Sequence, residues 1–187
     1  MSDLQVKNCM LCLKPFNSNT GDMNEDRIMN AINSLSDVID GWGYILHDKD
    51  THTQNDVDRY NRFIARMKKK HSDYVERPFP YAIGSPVDPH WHIVLSARYG
   101  NDGKQIPIPV SRIAEAFGVP ENMIGISRVS GWTAMPAMLA YLIHDPRLGD
   151  SAAGKHRYDL SEVKTNMKGA NGLIDRYFTD RPSARNW

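Results

Sequence analysis

The chain has 187 residues, of which 41% are hydrophobic and 24% are charged, and its formal net charge is +1. This composition is typical of a globular domain and excludes a largely disordered chain. The small net charge excludes attraction of a polyanion by a global basic field, so a nucleic-acid partner would need local patches or a metal ion. No apolar run approaches the roughly 20 residues of a membrane helix, and the N-terminus lacks a signal-peptide pattern. We therefore expect a cytoplasmic protein without membrane contact.

The first 50 residues predict two strands that flank one helix. Residues 6–13 and residues 42–46 are strand-like, and the second run leads directly into residues 47–50, with the sequence His-Asp-Lys-Asp. Between the strands, Asn24 can cap a helix whose apolar positions recur at residues 28, 32, 35 and 38.

The two cysteines, Cys9 and Cys12, lie three residues apart in the first predicted strand. A C-x-x-C pair can be half of a zinc site or a redox motif. Residues i and i+3 of a strand face opposite ways, and no second Cys/His pair has finger spacing. We therefore expect two reduced, partly buried thiols.

Residues 51–80 interrupt the alternation and carry an excess of basic side chains. Residues 56–71 predict an exposed helix with apolar side chains on one side. Its basic residues are as typical of a solvated surface helix as of a DNA contact. The candidate DNA contacts in this segment are Arg66, Lys68, Lys69 and Lys70.

Strands and helices alternate again in the rest of the chain. Residues 90–97 and 123–129 predict strands, and residues 110–117 and 133–144 predict helices. The order β-α-β-β-α-β-α predicts an α+β fold, an antiparallel sheet with helices on one face in a split β-α-β arrangement. Apolar residues become sparse after residue 160, so we predict one domain over residues 1–160 and a C-terminal tail over residues 161–187.

The triplet His90-Trp91-His92 lies at the start of the predicted strand 90–97. In a strand, residues i and i+2 project to the same face, so His90 and His92 point together and Trp91 points away. Two imidazoles on a rigid strand form half of a divalent-metal site. Taken alone, such a triplet is more often a pair of polar residues on a solvated sheet face.

A second polar cluster, at residues 47–50, strengthens the prediction of a metal site. It follows directly after a predicted strand, where a sheet can present ligands to solvent. His47 and one aspartate would complete a set of three imidazoles and one carboxylate. Such a set suits Mn²⁺, and also Zn²⁺, Co²⁺ or Ni²⁺.

The last predicted helix carries Tyr141 and His144 in the sequence Tyr-Leu-Ile-His. A tyrosine is an unusual nucleophile because its free pKa is about 10, but a neighbouring base or cation can generate the phenolate. The alternative is an amphipathic residue at the edge of the core, with its hydroxyl in water.

Together these motifs resemble those of HUH endonucleases, in which two histidines flank a bulky apolar residue. The His-Asp-Lys-Asp run before the triplet and the Tyr-Leu-x-His run after it are similar to those of Rep_2-type plasmid rolling-circle replication initiators. Lys155 begins a segment, residues 155–159, that is similar to the stretch following the nucleophile helix there. The resemblance extends over roughly residues 5 to 160.

The resemblance implies a single-tyrosine nicking enzyme of bacterial cytoplasm that initiates rolling-circle replication. Tyr141 would be the nucleophile, and His47, Asp50, His90 and His92 would hold Mn²⁺ or Mg²⁺, with Asp48 not a ligand. Its partners would be the double-stranded repeats and single-stranded hairpin loop of origin DNA, and host replication proteins. Lys155 is a further candidate DNA contact. Members of the family often carry a C-terminal oligomerisation domain, which we expect to be absent here or to lie beyond this chain.

Three alternatives stay open at this stage. A conjugative relaxase would use the same chemistry, and an RRM-like module would bind nucleic acid without cutting it. A zinc hydrolase that activates water would not need Tyr141. A separate hypothesis is that Asp145 orients a water for a terminating hydrolysis, against the alternative of an ion pair with Arg147.

Overall fold

The computed structural model describes residues 4–16, 21–127 and 131–180, without the side chains of residues 150 and 151. In chain order, the strands and α-helices in these ranges are β1 Gln5–Val6, β2 Asn8–Leu13, α1 Glu25–Ser34, β3 Ile39–His47, α2 Gln54–Lys70, β4 His90–Ala97, β5 Ile108–Pro109, α3 Val110–Phe117, β6 Ile124–Ile126, α4 Ala134–Leu142, β7 Lys164–Thr165 and α5 Ala170–Asp180. None of the helices in the described ranges is both long and apolar enough to cross a membrane.

Five of the strands form one antiparallel sheet in the order β6-β2-β4-β3-β7, and β1 pairs separately with β5. This confirms the predicted α+β fold with an antiparallel five-stranded sheet and flanking helices. The central strand, β4, pairs with β2 on one side and with β3 on the other. The His-Trp-His triplet at the start of β4 therefore lies between two neighbouring strands.

The two faces of β4 belong to two different apolar cores. Trp91, Ile93 and Leu95 pack on one face with α1 and α3. Val94 packs on the opposite face with α4 and α5. The helices thus cover both faces of the sheet, whereas we predicted helices on one face. Both faces are covered because β4 carries apolar side chains on each of them.

Local signals explain where the helices begin and end. The side chain of Asn24 accepts a hydrogen bond from the backbone N–H of Arg27 and caps α1. Thr53 and Asp56 form a capping box that starts α2 two residues earlier than predicted. Gly118, with φ of 63°, adopts the left-handed conformation that ends α3.

Two glycines let α4 approach β3 closely. An ideal Cβ at Gly41 would lie 3.0 Å from Met135 Cγ, and one at Gly43 would lie 3.0 Å from Leu139 Cδ2. A larger residue at either position would require these side chains of α4 to shift. The two glycines share a face of β3 with His47, so this close packing lies on the same face as the histidine cluster.

The C-terminal segment is part of the same core. Strand β7 pairs with β3 at the edge of the sheet, and Ile174 of α5 is buried against α4. Residues 161–180, which we predicted to be a tail, therefore belong to the packed domain. The predicted strand 123–129 is observed as β6, Ile124–Ile126; residues 128 and 129 lie outside the described ranges.

Candidate active site

The histidines of the triplet lie on the face of β4 that carries α4. The ring centroids of His90 and His92 are 4.8 Å apart. His90 is paired in register with His47 of β3, and the centroids of His47 and His92 are 4.5 Å apart. The structure thus brings together the three imidazoles that the sequence places in two separate strands.

A hydrogen bond orients the ring of His47. Its Nε2 donates to the backbone carbonyl of Leu142 at 2.7 Å, at the end of α4. In the neutral ring this leaves a lone pair on Nδ1, which is buried and lies 3.5 Å from Asp50 Oδ2. A metal-binding histidine is commonly held in this way, with one nitrogen donating to a carbonyl and the other left for the ion.

His144 is a fourth imidazole of the cluster, and sequence analysis did not place it there. Its ring centroid lies 4.4 Å from that of His47. Its Nδ1 donates to the carbonyl of His156 at 2.8 Å, and its buried Nε2 has no hydrogen-bond partner among the described residues. The sequence signal that could have indicated its place in the cluster is its position in the Tyr-Leu-Ile-His run, one helical turn after Tyr141.

The backbone at His144 explains how it reaches the cluster. His144 has a φ of 50°. Its N–H bonds to the carbonyl of Tyr141, and the N–H of Asp145 bonds to the carbonyl of Ala140. These two bonds form a Schellman motif, which ends α4 and turns the chain back towards the sheet. Histidine tolerates this left-handed conformation better than most residues with a side chain.

Asp50 connects two of the imidazoles. Its carboxylate oxygens lie 3.5 Å from Nδ1 of His47 and 3.5 Å from Nδ1 of His144. Burial acts to raise the pKa of Asp50, but the neighbouring His47 and His144 lower the pKa below its usual value. The carboxylate is therefore ionised at neutral pH and available to a cation.

Burial favours the neutral form of His90, His92 and His144. It lowers the pKa of His144 to about 4, with a further lowering from the neighbouring His47. Burial also lowers the pKa of His90, and that of His92 falls well below its usual value. Neutral imidazoles have a free lone pair, which is the form that binds a metal ion.

Four buried atoms of the cluster have no hydrogen-bond partner among the described side chains. They are His47 Nδ1, Asp50 Oδ1, His92 Nδ1 and His144 Nε2. An unpaired polar atom in the interior costs about 1–3 kcal/mol. Ligand atoms of His47, Asp50 and His144 all lie within 4.8 Å of one another. A divalent cation would satisfy such a group of lone pairs, so His47, Asp50 and His144 fit a metal, with the predicted ligands His90 and His92 next to them.

Tyr141 lies in the last turn of α4 and borders the cluster. Its ring centroid is 5.7 Å from that of His92 and 6.1 Å from that of His144. Burial raises the pKa of its phenol above the ordinary value, while the charge of Arg59 lowers it. The phenol is thus protonated at neutral pH in the absence of a metal ion.

A cleft of about 850 Å³ opens over these residues. Of the predicted nucleophile and metal ligands, four line the cleft, namely Asp50, His90, His92 and Tyr141, and His47 lies buried outside its lining. The basic wall of the cleft consists of Lys155, which we predicted, and Arg59, which we did not. With the exception of the buried His47, the predicted ligands and nucleophile therefore meet at one surface.

The other basic candidates lie elsewhere. Arg66, Lys68, Lys69 and Lys70 belong to the C-terminal half of α2, and none of them lines the cleft. Lys69 follows Arg59 by ten residues, which is about 15 Å along the helix axis. Lys68 forms an ion pair with Glu76. If these residues contact DNA, they do so outside the cleft.

Tyr158 packs against His47 of the cluster, a contact that sequence analysis did not predict. Its buried ring stacks on His47 with centroids 4.5 Å apart and planes 9° from parallel. Its hydroxyl accepts a hydrogen bond from the backbone N–H of Lys49 at 3.0 Å. The stacked ring excludes water from one side of His47 and anchors the loop that carries Asp50.

The two other aspartates of these motifs are placed outside the cleft. Asp48 is exposed and does not line the cleft. Asp145 is buried and bonds through both of its oxygens to Arg147, at 2.9 and 2.7 Å. Arg147 also bonds to Asp175 of α5 at 2.8 Å. The ion-pair interpretation of Asp145 therefore fits the geometry, and the water-orienting hypothesis gains no support from it.

Comparisons with known proteins extend over most of the chain. No family model matches it. The chain is 30% identical, over 141 residues, to a curated protein named "Replication protein" from Onion yellows phytoplasma (strain OY-M). The match covers 75% of this chain but 28% of that protein, so the chain spans little more than a quarter of the relative's length.

The neutral imidazoles predict acid sensitivity of the metal-free protein. The pKa of His144 is about 4 in the folded state, and that of an unfolded histidine is about 6.5. Between these values the unfolded chain binds more protons, so the free energy of unfolding falls as the pH is lowered through this window. Urea midpoints measured in EDTA between about pH 7 and pH 4 test this. His144→Asn should show a smaller fall; a fall equal to that of the wild type would contradict the prediction.

Proposed function

We propose that the chain is the nicking domain of a plasmid rolling-circle replication initiator. It cleaves one strand of origin DNA and retains the cut 5′ end on Tyr141. The observation that carries this proposal is the convergence of imidazoles, one carboxylate and one phenol on a single cleft. The similarity to a phytoplasma protein named "Replication protein" supports a role in replication.

His47, Asp50, His90 and His92 are the proposed ligands of a divalent cation, with His144 adjacent to them. Their mixture of imidazoles and one carboxylate favours Mn²⁺, whereas Mg²⁺ prefers oxygen ligands and bound water. When bound, the ion supplies Lewis-acid stabilisation of the negative charge on a phosphate oxygen. The hydrogen bonds of His47 and His144 to backbone carbonyls hold these rings in place before any ion arrives.

The proposed reaction is a transesterification at phosphorus. The Tyr141 hydroxyl loses its proton to a neighbouring base or to water, and its oxygen forms a bond to the scissile phosphorus. The bond from phosphorus to the 3′ oxygen breaks, and that oxygen takes up a proton to give a free 3′-OH. One phosphodiester replaces another, so the strand can be rejoined later, and the 3′-OH can prime host replication proteins.

The basic wall of the cleft suits an approaching DNA strand. Lys155 Nζ lies 6.0 Å from the centre of the Tyr141 ring. Arg59 lines the same cleft and lowers the pKa of Tyr141. Both cations favour the phenolate over the phenol, and both attract the phosphate backbone. Both residues would therefore offset part of the effect of burial on the nucleophile.

Aromatic side chains border the cleft on the side of α2 and suit a single strand. The rings of His52 and Tyr81 stack with centroids 4.2 Å apart, and Phe79 packs edge-on against both. Tyr81 is 55% exposed. Exposed rings beside a basic groove are a common means of binding unpaired bases. We therefore propose the single-stranded loop of a hairpin at the origin as the substrate for cleavage.

A covalent-adduct assay tests the proposed function. The protein is incubated with Mn²⁺ and with supercoiled or single-stranded origin DNA, and the products are separated under denaturing conditions. We expect a protein–DNA adduct that resists denaturant and that carries the 5′ end of the nick. Cleavage without an adduct would indicate a hydrolase that uses water, and binding without cleavage would indicate a binding module; either result would refute the proposal.

The basic end of α2 gives a separate test of duplex binding. If Arg66, Lys68, Lys69 and Lys70 contact the origin repeats, their joint replacement by Ala weakens binding and reduces the slope of log K against log salt by about 3. A fluorescence-anisotropy titration at several salt concentrations measures both quantities. The expected change is below that of four free cations because Lys68 is already paired with Glu76. Unchanged affinity and slope would show that this end of the helix is a solvated surface.

A further inference from the structure

Cys12 lies beside the histidines of the triplet, on the side opposite to His47. It is paired in register with His92 across β2 and β4, so the two side chains share a face of the sheet. Cys12 is exposed, whereas we predicted a partly buried thiol, and it lines the cleft together with His90 and His92. Ligand atoms of these three residues all lie within 4.8 Å of one another.

The same two histidines therefore have two different neighbours. His47 and Asp50 on the β3 side offer nitrogen and oxygen, while Cys12 on the β2 side offers sulfur. His92 is 7% exposed, and its Nδ1 has no hydrogen-bond partner among the described residues. His92 lies between Cys12 on one side and His47 on the other. Its unpartnered Nδ1 is the second observation, besides the thiol, that points to a cation.

We propose that Cys12, His90 and His92 form a second metal position that takes a thiolate-preferring cation such as Zn²⁺, Co²⁺ or Cd²⁺. Thiolate ligands select these ions over Mn²⁺ and Mg²⁺. On binding, the Cys12 thiol releases its proton to solvent, and a sulfur–metal bond forms. Three protein ligands leave a fourth, tetrahedral position open to water.

The ligand separations are compatible with this coordination. Donor atoms around a tetrahedral ion lie about 3.5 Å apart, given metal–ligand bonds of about 2.0–2.3 Å. The atoms here are within 4.8 Å of one another, so binding requires only a small approach of the ligands. The Nδ1 of His90 donates to the carbonyl of Asp88 at 2.9 Å, which leaves its Nε2 for the ion. Cys9 cannot take this role, since it is 1% exposed and packs in the opposite core.

The two metal positions exclude one another because both use His90 and His92. When a cation is bound to Cys12, His90 and His92, these two histidines are not available to the ion that the proposed nicking reaction needs. Zn²⁺ therefore inhibits nicking even when Mn²⁺ is in excess. This consequence rests on the proposed function, whereas the existence of the second position does not.

Co²⁺ absorption spectroscopy of the DNA-free protein tests the second position directly. Co²⁺ bound to a thiolate gives a near-ultraviolet charge-transfer band that nitrogen and oxygen ligands do not give. We expect this band in the reduced wild type and in the control Cys9→Ala, and we expect its loss in Cys12→Ser. A wild type that lacks the band, or a band that persists in Cys12→Ser, would overturn the proposal.

Two further variants separate the two positions. Asp50→Asn removes a ligand of the β3 side only, so the charge-transfer band should remain, whereas His90→Ala should abolish it. Circular dichroism confirms that each variant is folded. If the band is lost in Asp50→Asn as strongly as in His90→Ala, the two positions are one site and the proposal fails. Because no DNA is present, this result is independent of whether the protein nicks.

Discussion

Tyr141→Phe is expected to abolish the covalent protein–DNA adduct while leaving DNA binding and metal binding close to those of the wild type. The substitution removes one oxygen atom from a ring that is otherwise fixed by α4 and by its neighbours in the cleft. Without the hydroxyl no bond to phosphorus can form, so adduct formation falls to the background of the assay. Denaturing electrophoresis with a labelled strand measures the adduct, and anisotropy measures binding.

Tyr158→Phe is a matched control for this experiment. Its hydroxyl lies close to the same cluster but accepts a hydrogen bond from the backbone of Lys49, so its loss affects the loop rather than the chemistry. We expect Tyr158→Phe to retain the adduct at a reduced rate. Full adduct formation by Tyr141→Phe would show that another residue is the nucleophile.

Much of the site follows from short-range rules. The alternation of side chains along a strand places His90 and His92 together, and the Gly118 stop and the Asn24 cap follow from local turn chemistry. Placing His47 and Asp50 at the end of a predicted strand also required only local patterns. For these elements the hydrophobic period and the capping residues agree with the final fold.

The remaining parts depend on contacts between distant segments. His144 reaches the cluster because α4 packs against β3, next to Gly41 and Gly43, and no local signal encodes that contact. Tyr158 stacks on His47 across a separation of more than one hundred residues. Cys12 was correctly placed on a strand face, but its neighbours became evident only from the register of β2 against β4. Strand pairing and helix packing are thus what sequence patterns could not supply.

The second apolar face of the sheet is a related case. The pattern of β4 reads as a nearly continuous apolar run after His92, which is typical of a strand buried on both faces. The prediction of helices on one face disregarded this signal. Residues 161–180 were likewise assigned to a tail, although Ile174 and its neighbours supply apolar side chains that cover α4.

Mn²⁺ is expected to stabilise the wild type against unfolding and not to stabilise His92→Leu. An ion that binds only the folded state raises the free energy of unfolding, by about 2.7 kcal/mol at a hundred times its dissociation constant. His92→Leu removes one proposed ligand, and we expect its Mn²⁺ affinity to fall by at least about 100-fold. Urea denaturation with and without Mn²⁺ measures the effect, and His71→Gln, an exposed histidine at the end of α2, serves as the control.

The metal-free form of the same variant gives the more telling comparison. The Nδ1 atom of the buried His92 has no hydrogen-bond partner among the described residues, so its removal breaks no described hydrogen bond. Leucine is apolar and has a similar volume, so it can fill the same space. In EDTA we therefore expect His92→Leu to be at least as stable as the wild type, and in Mn²⁺ we expect the order to reverse. Such a reversal in the order of stability is expected if the imidazole binds the ion and lowers the stability of the metal-free fold. If His92→Leu is less stable by the same amount in both conditions, His92 serves the core and the proposed metal centre is wrong.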